Sequence, residues 1–213
     1  MDPDSDLVRA AAFDRARIDR AAASVPLPVL SPSRPVLFVL GQSWRETAES
    51  GLRATRVHAS YGEGILHVVA DMDDEEVFND ASAHNQRTWE LGDVFEIFAR
   101  PSGSDAYREV HVTPDNVRLH LCFDDFGQAA RIGGIEDVAA DPDAIVSRAG
   151  RTPNGWSVTA HVPLAAGADG HVFVSFCRYD AARGRAPILS SSSLHPVLSF
   201  HRPWEWTPCR VEA

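Results

Sequence analysis

The amino-acid sequence predicts an all-β protein, an antiparallel β-sandwich of the immunoglobulin or jelly-roll kind, with an N-terminal arm in front of it. Beyond about residue 33 the hydrophobic residues recur with a period of two, as they do when successive side chains point to opposite faces of a strand. The alternating runs are short, and Gly, Pro, Asn and Asp clusters separate them. Many short strands with turns between them fit stacked antiparallel sheets and not a parallel α/β fold. No internal repeat and no domain boundary interrupts the series after residue 33.

The arm comes first. Residues 5–23, SDLVRAAAFDRARIDRAAA, are rich in alanine and arginine, with Ser5 placed as an N-cap. A short helix is expected there, although its apolar stripe of Leu7, Ala11 and Ile18 is thin. VPLPVLSPSRP follows with four prolines in eleven residues, which enforces an extended connector. Residues 1–32 are thus expected to form the arm and residues 33–213 the sandwich.

In the sandwich, PVLFVL reads as a short buried strand. RVHASYGEGILHVVADMDD reads as a hairpin turning at Gly62 and Gly64. GDVFEIFARPSGSDAYREVHVTPDNVRLHLCF reads as three strands with turns at RPSGSD and TPDN. In the last of these, Val117, Leu119, Leu121 and Phe123 share one face, and Arg118, His120 and Cys122 the other. GWSVTAHVPL alternates likewise, with Trp156, Val158, Ala160 and Val162 pointing one way. HVFVSFCRYD is the last long strand expected, and the serine run Ser190–Ser193 beyond it reads as a flexible loop.

Composition excludes several functions. A formal charge of -10 argues against nucleic acid, whose phosphates require a basic surface. No apolar run approaches the roughly 20 residues that cross a bilayer, so no membrane partner is expected. All 20 basic residues are arginine, which removes lysine Schiff-base chemistry. Cys122, Cys177 and Cys209 form no Cys-x-x-Cys pair and read as free thiols rather than zinc ligands. The N-terminus, MDPDSDLVRAAAFDR, is acidic where a secretory leader needs positive charge, so a cytoplasmic location is expected.

Chemistry-bearing residues concentrate on two strands. Glu96 sits among apolar neighbours on both faces of its strand, and a buried charge is costly unless it is paired. The next strand carries Tyr107, Glu109 and His111 on one face. Arg178 continues the apolar face of Val172, Val174 and Phe176 and is the expected partner of Glu96 or Glu109. That pairing reads equally as an internal ion pair or as one that also offers hydrogen bonds to a ligand. DMDDEE, residues 71–76, reads either as a solvated acidic turn or as a calcium loop ligated by Asp71, Asp73 and Asp74, although its spacing is not that of an EF-hand. The nucleophile elbow, the P-loop and the zinc-protease motif are all missing. Glu96 and Glu109, carboxylates on neighbouring strands, could in principle serve a glycosidase, but no long loops are expected to build a cleft around them.

The order of motifs resembles a known family. ILHVVADMDD, a tryptophan leading into GDVFEIF, YREVHVTPDN, GWSVTAHVPL, FCRYD and FHRP succeed one another over residues 36–212. This series resembles the family 9 carbohydrate-binding modules and the wider DOMON-like β-sandwich group. The resemblance implies a domain that binds sugars without hydrolysing them, with a sugar ring between two tryptophans and carboxylate and arginine groups on the hydroxyls. Carried over by motif, the tryptophans are Trp89 and Trp204, and the polar partners are Glu96, Glu109 and Arg178, joined by His201 and Arg202 of FHRP. Calcium is structural in that family, and no cofactor is required for binding. The chain departs from the family at its end. The usual Phe-His-Arg-Pro-Glu-x-Phe-Gly becomes FHRPWEWT, which puts Trp204 at a normally charged position and Trp206 at an aromatic one. Trp206 is therefore expected in the core and Trp204 facing outward, while Trp44 and Trp156 are expected to pack. Two other functions remain open: an accessory sandwich that contacts a protein partner, and a haem-binding domain, for which Met72 is the one methionine besides the first.

Overall fold

The computed structural model describes residues 27–212, so the helix expected over residues 5–23 lies outside the described residues. The alternating runs pair into two sheets. In chain order the strands are β1 (Val29–Leu30), β2 (Val36–Val39), β3 (Thr55–Gly62), β4 (Ile65–Asp73), β5 (Val94–Pro101), β6 (Tyr107–Val112), β7 (Arg118–Phe123), β8 (Val146–Thr152), β9 (Gly155–Pro163), β10 (His171–Asp180), β11 (Ile188–Ser191) and β12 (Thr207–Val211). The larger sheet runs β1-β12-β10-β5-β6-β7, with β11 also on β10, and the smaller runs β2-β3-β4-β9-β8. Every named pairing is antiparallel except the short parallel contact of β1 with β12. The chain is a β-sandwich, as its period of two predicts.

Between the sheets lie Val57, Leu66, Val68, Phe95, Ile97, Val110, Trp156, Val158, Val174 and Phe176, all essentially inaccessible to water. Burying each larger side chain contributes roughly 1.5–3 kcal/mol, which makes this layer the main source of stability. A second apolar cluster of Phe98, Leu119, Leu121, Phe123, Phe173, Phe200 and Trp206 covers the outer face of the larger sheet. The two sheets consequently differ in their outer faces. Val94–Arg100 of β5 is buried without a break, whereas Val69, Asp71 and Asp73 of β4 are exposed on the far side of the smaller sheet.

One edge of β10 is shared: β12 pairs with residues 171–174 and β11 with residues 177–180. The chain between those two strands, residues 192–206, has to leave and re-enter the sheet at this point. It packs on the outer face, with Phe200 and Trp206 against Phe98 at ring-centroid distances of 6.4 and 5.4 Å. The β3–β4 turn places Glu63 and Gly64 at φ 53° and 75°, the left-handed pair that a two-residue hairpin needs.

Five features differ from the sequence expectation, the first being that PVLFVL is not a buried strand, since Leu37 and Val39 are 52% and 61% exposed. β1 lies within residues 1–32 assigned to the arm, and Leu30 is fully buried. β8 has mixed small and charged residues with no apolar alternation, since it is an edge strand held to β9 by backbone pairing. Ser190 and Ser191 belong to β11 and are buried, not part of a flexible loop. Ser191 Oγ lies 3.2 Å from Ser175 Oγ and accepts from Ser193 N at 3.1 Å, which ties the run into the fold. Met72 is 2% exposed and packs in the inter-sheet layer instead of an acidic turn.

Candidate functional site

Because alternate residues of a strand share a face, one register brings together the polar residues of three strands. Glu96 of β5 lies opposite His111 of β6, and Phe98 opposite Glu109. On the other side Cys177 of β10 is level with Glu96, which sets Tyr179 on the same outer face. β7 continues it with Leu121 opposite Glu109. Glu96, Phe98, Glu109, His111, Leu121 and Tyr179 form the floor of a cavity of about 480 Å³. Trp89 stands at one side, the segment Ala129–Ile135 at another, and Ser199, Phe200 and His201 of the late loop complete the rim.

The floor is charged and almost dry. Glu96, Glu109 and His111 are 2%, 4% and 1% exposed. His111 Nε2 lies 2.6 Å from Glu109 Oε1 and 3.2 Å from Glu96 Oε1, and its Nδ1 is 2.9 Å from Thr88 Oγ1. Thr88 begins the short 3₁₀ turn Thr88–Glu90 that also carries Trp89, whose ring meets His111 edge-on at 5.6 Å. The turn thus orients both the histidine and the indole. It is seated by Asp93, which accepts from Phe78 N and Ala181 N, and by Gly92 at φ 144°, where a Cβ would fall 2.4 Å from Phe78 O.

Burial pushes the Glu96 carboxyl up to about 8, with His111 opposing and Glu109 reinforcing the shift. Burial acts on Glu109 in the same sense, but His201 and His111 outweigh it and hold Glu109 below the usual carboxylate range. For His111 burial disfavours the charged ring, yet the two carboxylates prevail and raise it. Among the described residues, Glu96 Oε2 and Glu109 Oε2 are buried without a hydrogen-bond partner; His201 Nε2 stands 3.4 Å from the latter. His201 Nδ1 is in turn 3.0 Å from Tyr107 OH.

Of the residues expected at a site, Trp89, Glu96, Glu109 and His201 meet at this cavity, and Arg178, Arg202 and Trp204 are not among those lining it. The expected pairing of Arg178 with Glu96 or Glu109 does not form. Arg178 is level with Phe95, hence on the inter-sheet face, opposite to Glu96. It donates to Asp74 Oδ2 and Asp73 O at 2.9 Å and to Thr55 Oγ1 at 3.1 Å, with Asp180 Oδ1 at 3.2 Å. Arg202 pairs with Glu205, and its guanidinium lies 5.1 Å from the Trp204 ring, which also packs on Phe126 at 6.3 Å. Trp204 is half-buried and, unlike Trp89, is not among the residues lining the cavity. Trp206 and Trp156 are core residues as expected, at 1% and 0% exposure.

The expected calcium ligands are also separated. Asp71 and Asp73 follow the strand alternation onto the exposed face of β4, while Asp74 turns inward to Arg178. Asp74, Asp93 and Asp180 do converge, their oxygens within 4.8 Å of one another. That cluster already holds the Arg178 guanidinium, and both Asp93 oxygens accept backbone N–H groups, so it does not fit calcium.

Three site features escaped the sequence. His111 was visible only as sharing a face with Glu109. Tyr179 follows Arg178 directly and therefore occupies the opposite face, which only the β10–β5 register assigns to the cavity. Ile132 and Ile135 come from a loop without periodic pattern and reach the site through tertiary packing.

No protein-family model matches this sequence, and no curated protein does. Solved structures do. A candidate carbohydrate-binding protein from Bacteroides uniformis matches with a TM-score of 0.64 at 14% identity, over 87% of this chain and 97% of the other. A family 9 carbohydrate-binding module from Caldicellulosiruptor kristjanssonii in complex with cellotriose matches at 0.62 and 13%, over 87% and 93%. The module from that organism in complex with glucose matches at 0.60 and 13%, over 87% and 95%. At these identities the likeness is one of fold: the chain has the β-sandwich of the family 9 carbohydrate-binding modules.

Proposed function

We propose that this protein is a non-catalytic carbohydrate-binding domain whose ligand lies in the cavity on the outer face of the larger sheet. The observation that carries the reading is an aromatic wall beside buried, under-bonded carboxylates in about 480 Å³. A pyranose has an apolar C–H face that lies well on an indole such as Trp89, and hydroxyl donors at its edge that suit Glu96 and Glu109. Modules of the same fold hold glucose and cellotriose. Hydrolysis fits the arrangement poorly. Glycosidase carboxyls flank the scissile bond, whereas Glu96 and Glu109 lie side by side on one floor and share His111.

Calorimetry against mono- and disaccharides tests the reading. Measurable binding is expected for at least one pyranose, and Trp89→Ala lowers that affinity at least about tenfold while the protein still melts cooperatively. No heat with any sugar, or full affinity in the variant, contradicts it.

A further inference from the structure

We propose that the cavity selects a pyranose bearing a free ammonium group, an amino sugar, over its neutral counterpart; this rests on the sugar-binding reading above. Among the described residues, the titratable side chains lining the cavity include Glu96, Glu109, His111 and His201, and none of the lining residues is an arginine. The arginines that the sequence placed here, Arg178 and Arg202, are engaged by Asp74 and Glu205. His111 lies between the two carboxylates and His201 Nε2 stands 3.4 Å from Glu109 Oε2, so Glu109 has two histidines beside it and Glu96 shares only His111. His201 Nδ1 lies 3.0 Å from the Tyr107 hydroxyl, which leaves Nε2 beside Glu109 Oε2.

The result is Glu96 Oε2, on a side chain 2% exposed that lines the cavity, without a hydrogen-bond donor among the described residues. A buried carboxylate in that state is costly and binds a charged donor more strongly than a neutral one. In the absence of ligand a proton supplies the missing charge, in keeping with the upward shift of Glu96 to about 8. A sugar hydroxyl brings a donor without charge, while an ammonium brings three N–H donors and the charge together. The surroundings favour an organic cation over a bare metal ion. Trp89, Phe98, Phe123 and Tyr179 line a space far larger than an ion, and their ring faces attract both a cation and an apolar C–H face. An acidic sugar meets the opposite fate, since its carboxylate would face Glu96 and Glu109.

The test is calorimetry on the full chain at pH ~7, where a primary amine of this kind is largely protonated. A chelator is present, and glucosamine, glucose, N-acetylglucosamine and glucuronate are compared. Glucosamine is expected to bind at least about tenfold more tightly than glucose. N-acetylglucosamine, which keeps the ring but loses the charge, has no such advantage, and glucuronate is the weakest. Glu96→Gln, nearly isosteric, lowers glucosamine affinity more than glucose affinity and so reduces the glucosamine preference. Glucose binding as well as or better than glucosamine overturns the selectivity and leaves the sugar site standing. An advantage that appears only when zinc replaces the chelator also overturns it. Absence of binding by all four overturns this proposal, and the sugar-binding reading falls only if the wider saccharide panel fails too. The comparison of ligands on the wild type decides the matter even if the variant does not fold.

Discussion

Two clusters of buried carboxylates sit on opposite faces of the same sheet, and they are built differently. On the inter-sheet face, Asp74 and Asp180 close on Arg178, and Asp93 receives two backbone N–H groups. On the outer face, Glu96 and Glu109 share one histidine, and each keeps an oxygen without a hydrogen bond. The first cluster is closed by partners from the chain itself and joins the ends of β4, β5 and β10. The second opens on a cavity, so its missing partners have somewhere to come from. A buried acidic group is thus informative about function when its lone pairs are left over, and informative about architecture when they are used.

The largest effect expected from this contrast is at Arg178. Arg178→Met leaves Asp74 and Asp180 buried beside each other, and its expected cost is about 3–5 kcal/mol in chemical denaturation. Sugar affinity of the folded fraction stays unchanged. If the cost is below about 1 kcal/mol, the Arg178 cluster is not the architectural one.

A medium effect separates the clusters by pH. Glu96 is raised from 4.5 to about 8, Asp93 from 3.8 to about 7 and Asp180 from 3.8 to about 6, each mainly by burial. A raised carboxyl keeps a proton in the folded state that the unfolded chain has released. Its stabilising effect is therefore complete below its unfolded value and lost as pH rises through its folded value. His111, raised as well, acts in the same direction on its way to neutrality. Thermal melts without ligand are expected to show stability falling from pH ~5 to ~8. Glu96→Gln should flatten the uppermost part of that decline, while the portion belonging to Asp93 and Asp180 remains. A flat or rising wild-type profile would contradict the assignment of these groups as buried and protonated.

The smallest effect is expected at Trp204. Since it packs on Phe126 and Arg202 outside the cavity, Trp204→Ala should change monosaccharide affinity by less than about twofold. A loss comparable to that of Trp89→Ala would show that the late loop rearranges to bring a second indole over the ligand.

Most of the sandwich was legible in the sequence. The long strands β3, β4, β5, β6, β7, β9 and β10 all carry the expected runs, because a half- or fully buried strand cannot hide its apolar residues. β8, β11 and β12 were not legible: an edge strand held by backbone bonds, and strands rich in serine, threonine or proline, need no apolar alternation. The site was legible in part for the same reason. Trp89, Glu96 and Glu109 are conspicuous by residue type, whereas the place of Arg178 depends on parity along β10.

The sequence by itself determined the two-faced strands, the shared face of Tyr107, Glu109 and His111 on one of them, and the packing role of Trp156, since side-chain alternation is a local property of extended backbone. Only the tertiary structure decided which face of β10 meets Glu96, which loops roof the cavity and which acidic residues find a cation. Those outcomes depend on inter-strand register and on contacts between residues far apart in the chain, and a shift of one residue would exchange Arg178 for Tyr179 at the floor of the site.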